Sequence, residues 1–139
     1  MKWGTMDISK YTAYFHDGSL IDIKNIDDTI EISLSSAEVD PEDLTDDIPL
    51  GEYDRINGIL HLEGIKKITR NDLLFNGILK MERQSGEIHR FKIRDAVVEL
   101  QIDWEDFKPK SQVNDFSTII IEAEKIYWEN KPDLVDPYW

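Results

Sequence analysis

The chain has 139 residues, and its 16 Lys and Arg against 29 Asp and Glu give a formal net charge of −13 at pH 7. With 40 % hydrophobic and 32 % charged residues, the composition excludes a disordered chain and a membrane-spanning one. The acidic excess also disfavours nucleic-acid binding, because that affinity depends on cations that neutralise phosphates. We therefore expect one domain over residues 1–139, with neither nucleic acid nor membrane as a partner.

Cysteine is absent, which excludes disulfides, thiolate zinc sites and a Cys nucleophile. Residues 1–7 lack the apolar segment of a secretory signal peptide. Together these two features predict a reducing, cytoplasmic location.

Alternation of apolar and polar residues dominates the first part of the chain. Asp17-Gly18 separates the β-prone runs 11–16 and 19–24, and this pair predicts a type I′ hairpin turn, in which both residues need positive φ. After a turn at 25–28, residues 29–35 alternate again and predict a strand with one buried face.

Residues 36–54 break this alternation, because Pro41, Pro49 and Gly51 interrupt a run of acids. We expect a long loop there. It includes one helical turn over residues 41–44, with Asp40 as its N-cap and Pro41 at its first position.

The second half of the chain returns to strand patterns. Asn71-Asp72 predicts a turn, and residues 84–86 predict the turn of a hairpin. Residues 117–128 predict the last long strand, because the three isoleucines at 119–121 outweigh the helical character of the residues after them. The remaining predicted strands are 56–63, 65–69, 77–83, 87–94 and 98–104.

Two segments near the end have no strand pattern. Residues 108–110 are predicted to form a connector between strands. Residues 130–139 are predicted to form an extended segment at the end of the chain. We expect its aromatic residues Tyr138 and Trp139, like Trp128, to dock onto the body of the protein or onto another subunit.

The eight or nine short strands predict an all-β fold, an antiparallel β-sandwich or half-open barrel with a long acidic loop. The residues expected in its core are Phe15, Ile21, Ile23, Ile32, Leu60, Leu62, Phe91, Val98, Leu100, Ile102, Ile119 and Ile121.

The negative charge is concentrated in residues 25–54, which hold eleven acids and no Lys or Arg. This segment has three interpretations: a solvated loop, a docking surface for a basic protein, or a calcium site. The EF-hand pattern disfavours calcium, because Leu44 and Thr45 stand where an oxygen ligand and a glycine are needed. The candidate partner-binding residues are Asp40, Glu42, Asp43, Asp46, Asp47 and Glu52.

Motifs for catalysis are missing. The chain has no G-x-S-x-G elbow, no dinucleotide fingerprint and no P-loop, and His16, His61 and His89 are isolated from one another. We expect a structural role for the three histidines, with no catalytic residue, no metal site and no cofactor.

Basic residues dominate residues 55–94, which hold nine bases and four acids. Arg90, Lys92 and Arg94 share one face of a predicted strand, with His89, Phe91 and Ile93 on the other. We expect the three cations to pair with nearby acids. An anion or acidic-partner site is the alternative.

The run Phe15-His16-Asp17-Gly18-Ser19-Leu20-Ile21-Asp22-Ile23 resembles an opening found in small bacterial immunity proteins of polymorphic-toxin systems. In that family an F-H-D-x-x-[LI] segment enters an early β-hairpin. The resemblance implies a protective binding protein that covers the active site of a toxin, and many such toxins are basic nucleases.

Three functional hypotheses follow. The first is a non-enzymatic protein-binding module, of immunity or antitoxin type, that neutralises a basic toxin through an acidic surface. The second is a small-ligand-binding or catalytic β-barrel of unknown substrate, which needs a deep apolar pocket. The third is a structural subunit of a larger assembly. The sequence fixes neither the partner nor the oligomeric state.

Overall fold

In a computed structural model, residues 7–105 and 115–134 are described, and their regular structure consists of strands and short 3-10 turns. The predicted all-β class is therefore confirmed. No helix among these residues is long and apolar enough to cross a membrane. The strands are β1 (Ser19–Ile26), β2 (Thr29–Glu38), β3 (Arg55–Arg70), β4 (Leu73–Leu74), β5 (Ser85–Arg94), β6 (Val97–Glu105) and β7 (Asp115–Asn130).

All strand pairs are antiparallel, and six of the strands form a ring. Its order is β2-β1-β5-β6-β7-β3, and β3 pairs back with β2. The short strand β4 is added to the far end of β3. β1 and β5 meet only at Ser19–Glu87 and Leu20–Gly86, so the ring matches the predicted half-open barrel.

The open part of the β1–β5 seam is flanked by the irregular segment that joins β4 to β5. Leu79 in this segment is buried, and its carbonyl accepts a hydrogen bond from the Asn25 side chain at the end of β1. Met81 packs against the same core. The segment therefore supplies apolar contacts beside the part of β1 that is not paired with β5.

The core of the ring is filled by side chains rather than by solvent. Phe15 packs edge-to-face against Phe91 and Trp128, with ring centroids 5.1 and 5.7 Å apart, and all three rings are buried. Two 3-10 turns (Ile8–Lys10 and Thr12–Phe15) bring Phe15 to this position. The chain before β1 thus packs against the barrel, although residues 11–16 were predicted as a strand.

Eleven of the twelve predicted core residues are buried, and Ile21 is the exception. A bulge between Leu20 and Asp22 inserts an extra residue into β1. Because a bulge shifts the faces of a strand, Leu20 and Ile23 point inward and Ile21 is half-buried.

Three strand predictions are corrected. The predicted strands 56–63 and 65–69 form the single strand β3, which continues through Gly64 at φ +68°. Residues 77–83 form no strand, and β5 begins at Ser85, inside the predicted turn. Gly86 permits this because a Cβ there would lie 2.4 Å from the Ile102 side chain across the strand pair.

Other local predictions are confirmed. Asn71 and Asp72 adopt positive φ in the two-residue turn between β3 and β4. Residues 117–128 lie within the 16-residue strand β7, and its Trp128 is fully buried. The predicted connector at 108–110 and the aromatic residues Tyr138 and Trp139 lie outside the described residues.

The turn at Asp17-Gly18 differs from the predicted type I′ hairpin. Asp17 has φ +67°, but Gly18 is not in the left-handed region. The Gly18 N–H donates to the Phe15 carbonyl (2.8 Å), and His16 lies at φ −60° and ψ 130°. This geometry is a type II turn with Asp17 at its third position. Gly18 is required for space, because a Cβ there would lie 2.2 Å from the Ser35 carbonyl oxygen.

We predict that Gly18→Ala lowers the free energy of unfolding by about 1–3 kcal/mol or more, because the new methyl group clashes with backbone. Asp17→Asn should change it by less than about 0.5 kcal/mol, since Asn also adopts positive φ. Urea denaturation of both variants measures the difference. Equal damage from the two changes would contradict a purely conformational role for Asp17 and indicate a role for its carboxylate.

Candidate functional site

The six predicted partner-binding residues lie on one loop, residues 39–54, which we call the acidic loop. Its two ends are joined by a hydrogen bond from the Val39 N–H to the Asp54 carbonyl (2.9 Å). A surface loop of this length with closed ends is an Ω-loop, a type that is often functional. Val39 and Ile48 are buried and connect the loop to the core.

The first carboxylates are arranged by a short helical turn. Asp40 accepts a hydrogen bond from the Glu42 N–H (3.0 Å) and caps the 3-10 turn Pro41–Asp43, as the sequence predicted. The turn leaves the side chains of Glu42 and Asp43 exposed. A few residues further along, Asp46 and Asp47 are exposed as well.

Asp46 is fixed by a tyrosine from the chain before β1. The Tyr11 hydroxyl donates to Asp46 Oδ2 (2.5 Å) and accepts from the Asp46 N–H (3.1 Å). The Thr45 hydroxyl oxygen lies 2.9 Å from the same Tyr11 oxygen. Because Tyr11 is 3 % exposed, this contact holds the middle of the loop against a buried ring.

The second half of the loop is held by β7 and β3. The buried Asn130 side chain donates to the Pro49 carbonyl (2.8 Å), and the Trp128 indole N–H donates to Asn130 Oδ1 (3.2 Å). The Gly51 N–H donates to the Arg55 carbonyl (2.8 Å). Glu52 then begins a 3-10 turn in which Tyr53 has φ +59° and is exposed.

The charges of the loop are not neutralised locally. Within residues 7–105 and 115–134, no Lys, Arg or His nitrogen lies within 4.0 Å of the six carboxylates. In the same part of the chain, no group of three or more His, Asp or Glu side chains is arranged to hold a metal ion. The acidic loop thus has a fixed backbone and exposed carboxylates that pair with no cation in the described part of the chain.

The basic strand β5 differs in part from its predicted pattern. Arg90, Lys92 and Arg94 are exposed, and Arg90 forms a salt bridge with Glu99 on β6 (3.2 Å), as expected. His89 does not share the buried face with Phe91, because a bulge between Ile88 and Arg90 displaces it to the exposed side.

The histidines contact neighbouring strands and backbone. His61 lies between Glu129 (2.9 Å) and Glu31 (3.6 Å) and stacks on the Tyr127 ring at 4.6 Å. His16 Nδ1 lies 2.8 Å from the carbonyl oxygen of His89, on β5 rather than in its own turn. Burial raises the pKa of Tyr127, and the nearby carboxylates add to this shift.

Several clefts lie on the described surface. A cleft of about 580 Å³ lies between the first 3-10 turn and strands β5 and β7, and its lining includes Ile8, Ile93 and Trp128. A cleft of about 430 Å³ adjoins the basic strand, and one of about 310 Å³ lies beside β4.

A second group of acids surrounds Glu105 at the end of β6. Partial burial raises the pKa of the Glu105 carboxyl, and the negative charges of Glu87 and Asp103 raise it further. The folded state therefore binds a proton more tightly than the unfolded state, so stability falls as pH rises above the ordinary value of 4.5.

We predict that Glu105→Gln raises the melting temperature at pH 7, because it removes a charge that the folded state disfavours while keeping a hydrogen-bond donor for Glu87. The gain should disappear well below pH 4.5, where the wild-type carboxyl is protonated in both states. Thermal unfolding from pH 3 to pH 8 measures both effects. A lower melting temperature at pH 7 would contradict this assignment.

No protein-family model matches this chain, and no curated protein or solved structure shows significant similarity to it. The resemblance to immunity proteins therefore stays a prediction. Its residues have structural explanations, since Phe15 fills the core and Asp17 and Gly18 form a tight turn.

Proposed function

We propose that this protein is a non-enzymatic binding module that docks a basic protein on its acidic loop. The observation that carries the proposal is that the carboxylates of the acidic loop are exposed while the loop itself is held in one position. The loop that carries the six carboxylates is held by its buried residues and by the contacts of Tyr11 and Asn130, and among residues 7–105 and 115–134 none of the six pairs with a cation. A loop that only improves solubility needs no such fixation, and the mutual repulsion of its charges disfavours it.

Fixation of the loop matters because binding then orders less backbone. A preorganised surface loses less entropy on association than a flexible tail does. A fixed negative patch also steers a positive partner and sets its orientation. A Lys- and Arg-rich protein is the partner that this chemistry suits. A basic toxin of the kind that the Phe15–Ile23 resemblance implies is one member of that class.

The main test neutralises the loop. A variant with five substitutions should leave the fold intact. The substitutions are Asp40→Asn, Glu42→Gln, Asp43→Asn, Asp46→Asn and Asp47→Asn. At low salt they should slow association with a labelled oligolysine peptide by about tenfold or more, because electrostatic steering contributes about 10–10³ to association rates. Stopped-flow fluorescence at several salt concentrations measures this rate. Wild-type association should also slow as salt rises.

The matched control removes five charges elsewhere, at exposed residues whose backbone tolerates the change. The control substitutions are Asp7→Asn, Asp17→Asn, Asp95→Asn, Glu105→Gln and Glu124→Gln. An equal loss in both variants would show that net charge alone matters and would contradict docking on the loop. In a low-salt pull-down with mass spectrometry, a partner should be basic and be lost from the loop variant alone.

A second test weakens the contact that holds the acidic loop in place and leaves the charge of the loop unchanged. Tyr11→Phe removes the hydroxyl that holds Asp46 and should lower the free energy of unfolding by about 1–3 kcal/mol, because the partly buried Asp46 N–H loses its acceptor. It should also weaken oligolysine binding.

Tyr14→Phe is the control, since Tyr14 stacks beside Tyr11 at 6.3 Å and its hydroxyl makes no hydrogen bond to the described residues. Fluorescence anisotropy compares the two variants. If the Tyr11→Phe variant binds oligolysine as tightly as the wild type does, loop fixation has no role in binding.

A further inference from the structure

The exposed aliphatic side chains are concentrated at one end of the barrel. Six large hydrophobic residues are exposed in the described chain, and four of them belong to two neighbouring turns. Contiguous exposed apolar surface is uncommon on a monomer and usually marks an interaction site. These four residues, which we call the apolar tip, are Ile26 (52 % exposed), Leu73 (73 %), Leu74 (61 %) and Ile78 (70 %).

The two turns are joined through one cleft. Residues on both sides of Ile26 line the cleft of about 310 Å³, together with Leu74 and Gly77 from the other turn. The Asn25 side chain also donates to the Leu79 carbonyl, which directly follows Ile78. Leu74 therefore lines this cleft, and the other three residues of the apolar tip each directly adjoin a residue that lines it.

Charges of both signs line the same cleft. Lys66 and Lys67 contribute from β3, and Asp27 and Asp28 from the β1–β2 turn, and all four are exposed. None of them has a partner of opposite charge within 4.0 Å among the described residues. A surface that carries both unpaired signs beside apolar residues can match a copy of itself.

We propose that the apolar tip is the interface of a two-fold symmetric homodimer. In a two-fold interface each copy presents the same surface, so Lys66 and Lys67 of one copy can face Asp27 and Asp28 of the other. The short strand β4 has an unpaired edge in the described sheet and lies within this surface.

The charge distribution favours a second copy at this end in particular. The tip lies at the β1–β2 turn, whereas the acidic loop follows the opposite end of β2. Two chains of charge −13 repel each other, and contact through the tip keeps their acidic loops far apart.

Sedimentation velocity over a wide concentration range tests the dimer. The wild type should shift from monomer to dimer, and Leu74→Asp should raise the dissociation constant by about tenfold or more, because a charge replaces an apolar contact. Tyr53→Asn is the control, because it removes an equally exposed side chain from the acidic loop and should leave dimerisation unchanged. A wild type that stays monomeric throughout overturns the proposal.

Charge reversal tests whether the partner is a second copy. The first variant combines Asp27→Asn with Asp28→Lys, and the second combines Lys66→Glu with Lys67→Glu. Each should weaken self-association, since each leaves charges of one sign at the tip. An equal mixture of the two variants should recover dimers, because their surfaces are complementary.

No recovery in the mixture overturns the two-fold arrangement. Co-sedimentation of a monomeric wild type with phosphatidylserine vesicles would also overturn it, by assigning the tip to a lipid surface.

Discussion

The edge-to-face packing of Phe15, Phe91 and Trp128 is the interaction on which the rest of this structure depends. It joins three separate parts of the chain: the segment before β1, strand β5 and strand β7. The strand pairing in the ring is shortest between β1 and β5, where only two residue pairs are in register. Phe15 packs beside this seam, and the turn that follows it hydrogen-bonds across the seam, from the Asp17 N–H to the Ile88 carbonyl. Burial of three aromatic rings thus compensates for the short β1–β5 pairing.

The same cluster leads directly to the acidic loop. Trp128 orients Asn130, Asn130 binds the loop backbone at Pro49, and the segment that carries Phe15 also carries Tyr11, which binds Asp46. Buried polar groups are costly unless they are hydrogen-bonded, so these contacts define one position for the loop. The packing energy of the core therefore offsets the repulsion among carboxylates that would otherwise favour an open, solvated loop.

Local patterns in the sequence predicted most of the fold. They failed at the two bulges, at residues 11–16 and 77–83, which form no strand, and where two distant residues meet. Val98, Leu100, Ile102 and Trp104 alternate strictly and are all buried. In contrast, the bulges in β1 and β5 change the face of Ile21 and His89, and no residue type in those segments marks a bulge.

For the candidate site, the exposure of the six carboxylates could be predicted from their density, but their fixation could not. Tyr11 and Asp46 are 35 residues apart, and the Asn130–Pro49 contact joins residues even further apart. The apolar tip was missed for a related reason. Leu73, Leu74 and Ile78 are residue types that are usually found in a core, and only the folded structure shows that their side chains are exposed.

The two proposed surfaces constrain each other through their positions on β2. An acidic surface that attracts a basic partner also repels every copy of itself, so self-association has to use a surface remote from it. The opposite end of the barrel meets this condition and is also where the unpaired charges have both signs. A dimer formed there would present two acidic loops pointing away from each other, and each could bind its own basic partner without contact with the other. The two interactions should then respond differently to salt. Binding at the acidic loop is governed by steering and weakens as salt rises. Association through the apolar tip should change less, because salt screens the attraction between its charge pairs and also the repulsion between the two acidic chains, while the contribution of buried apolar area remains.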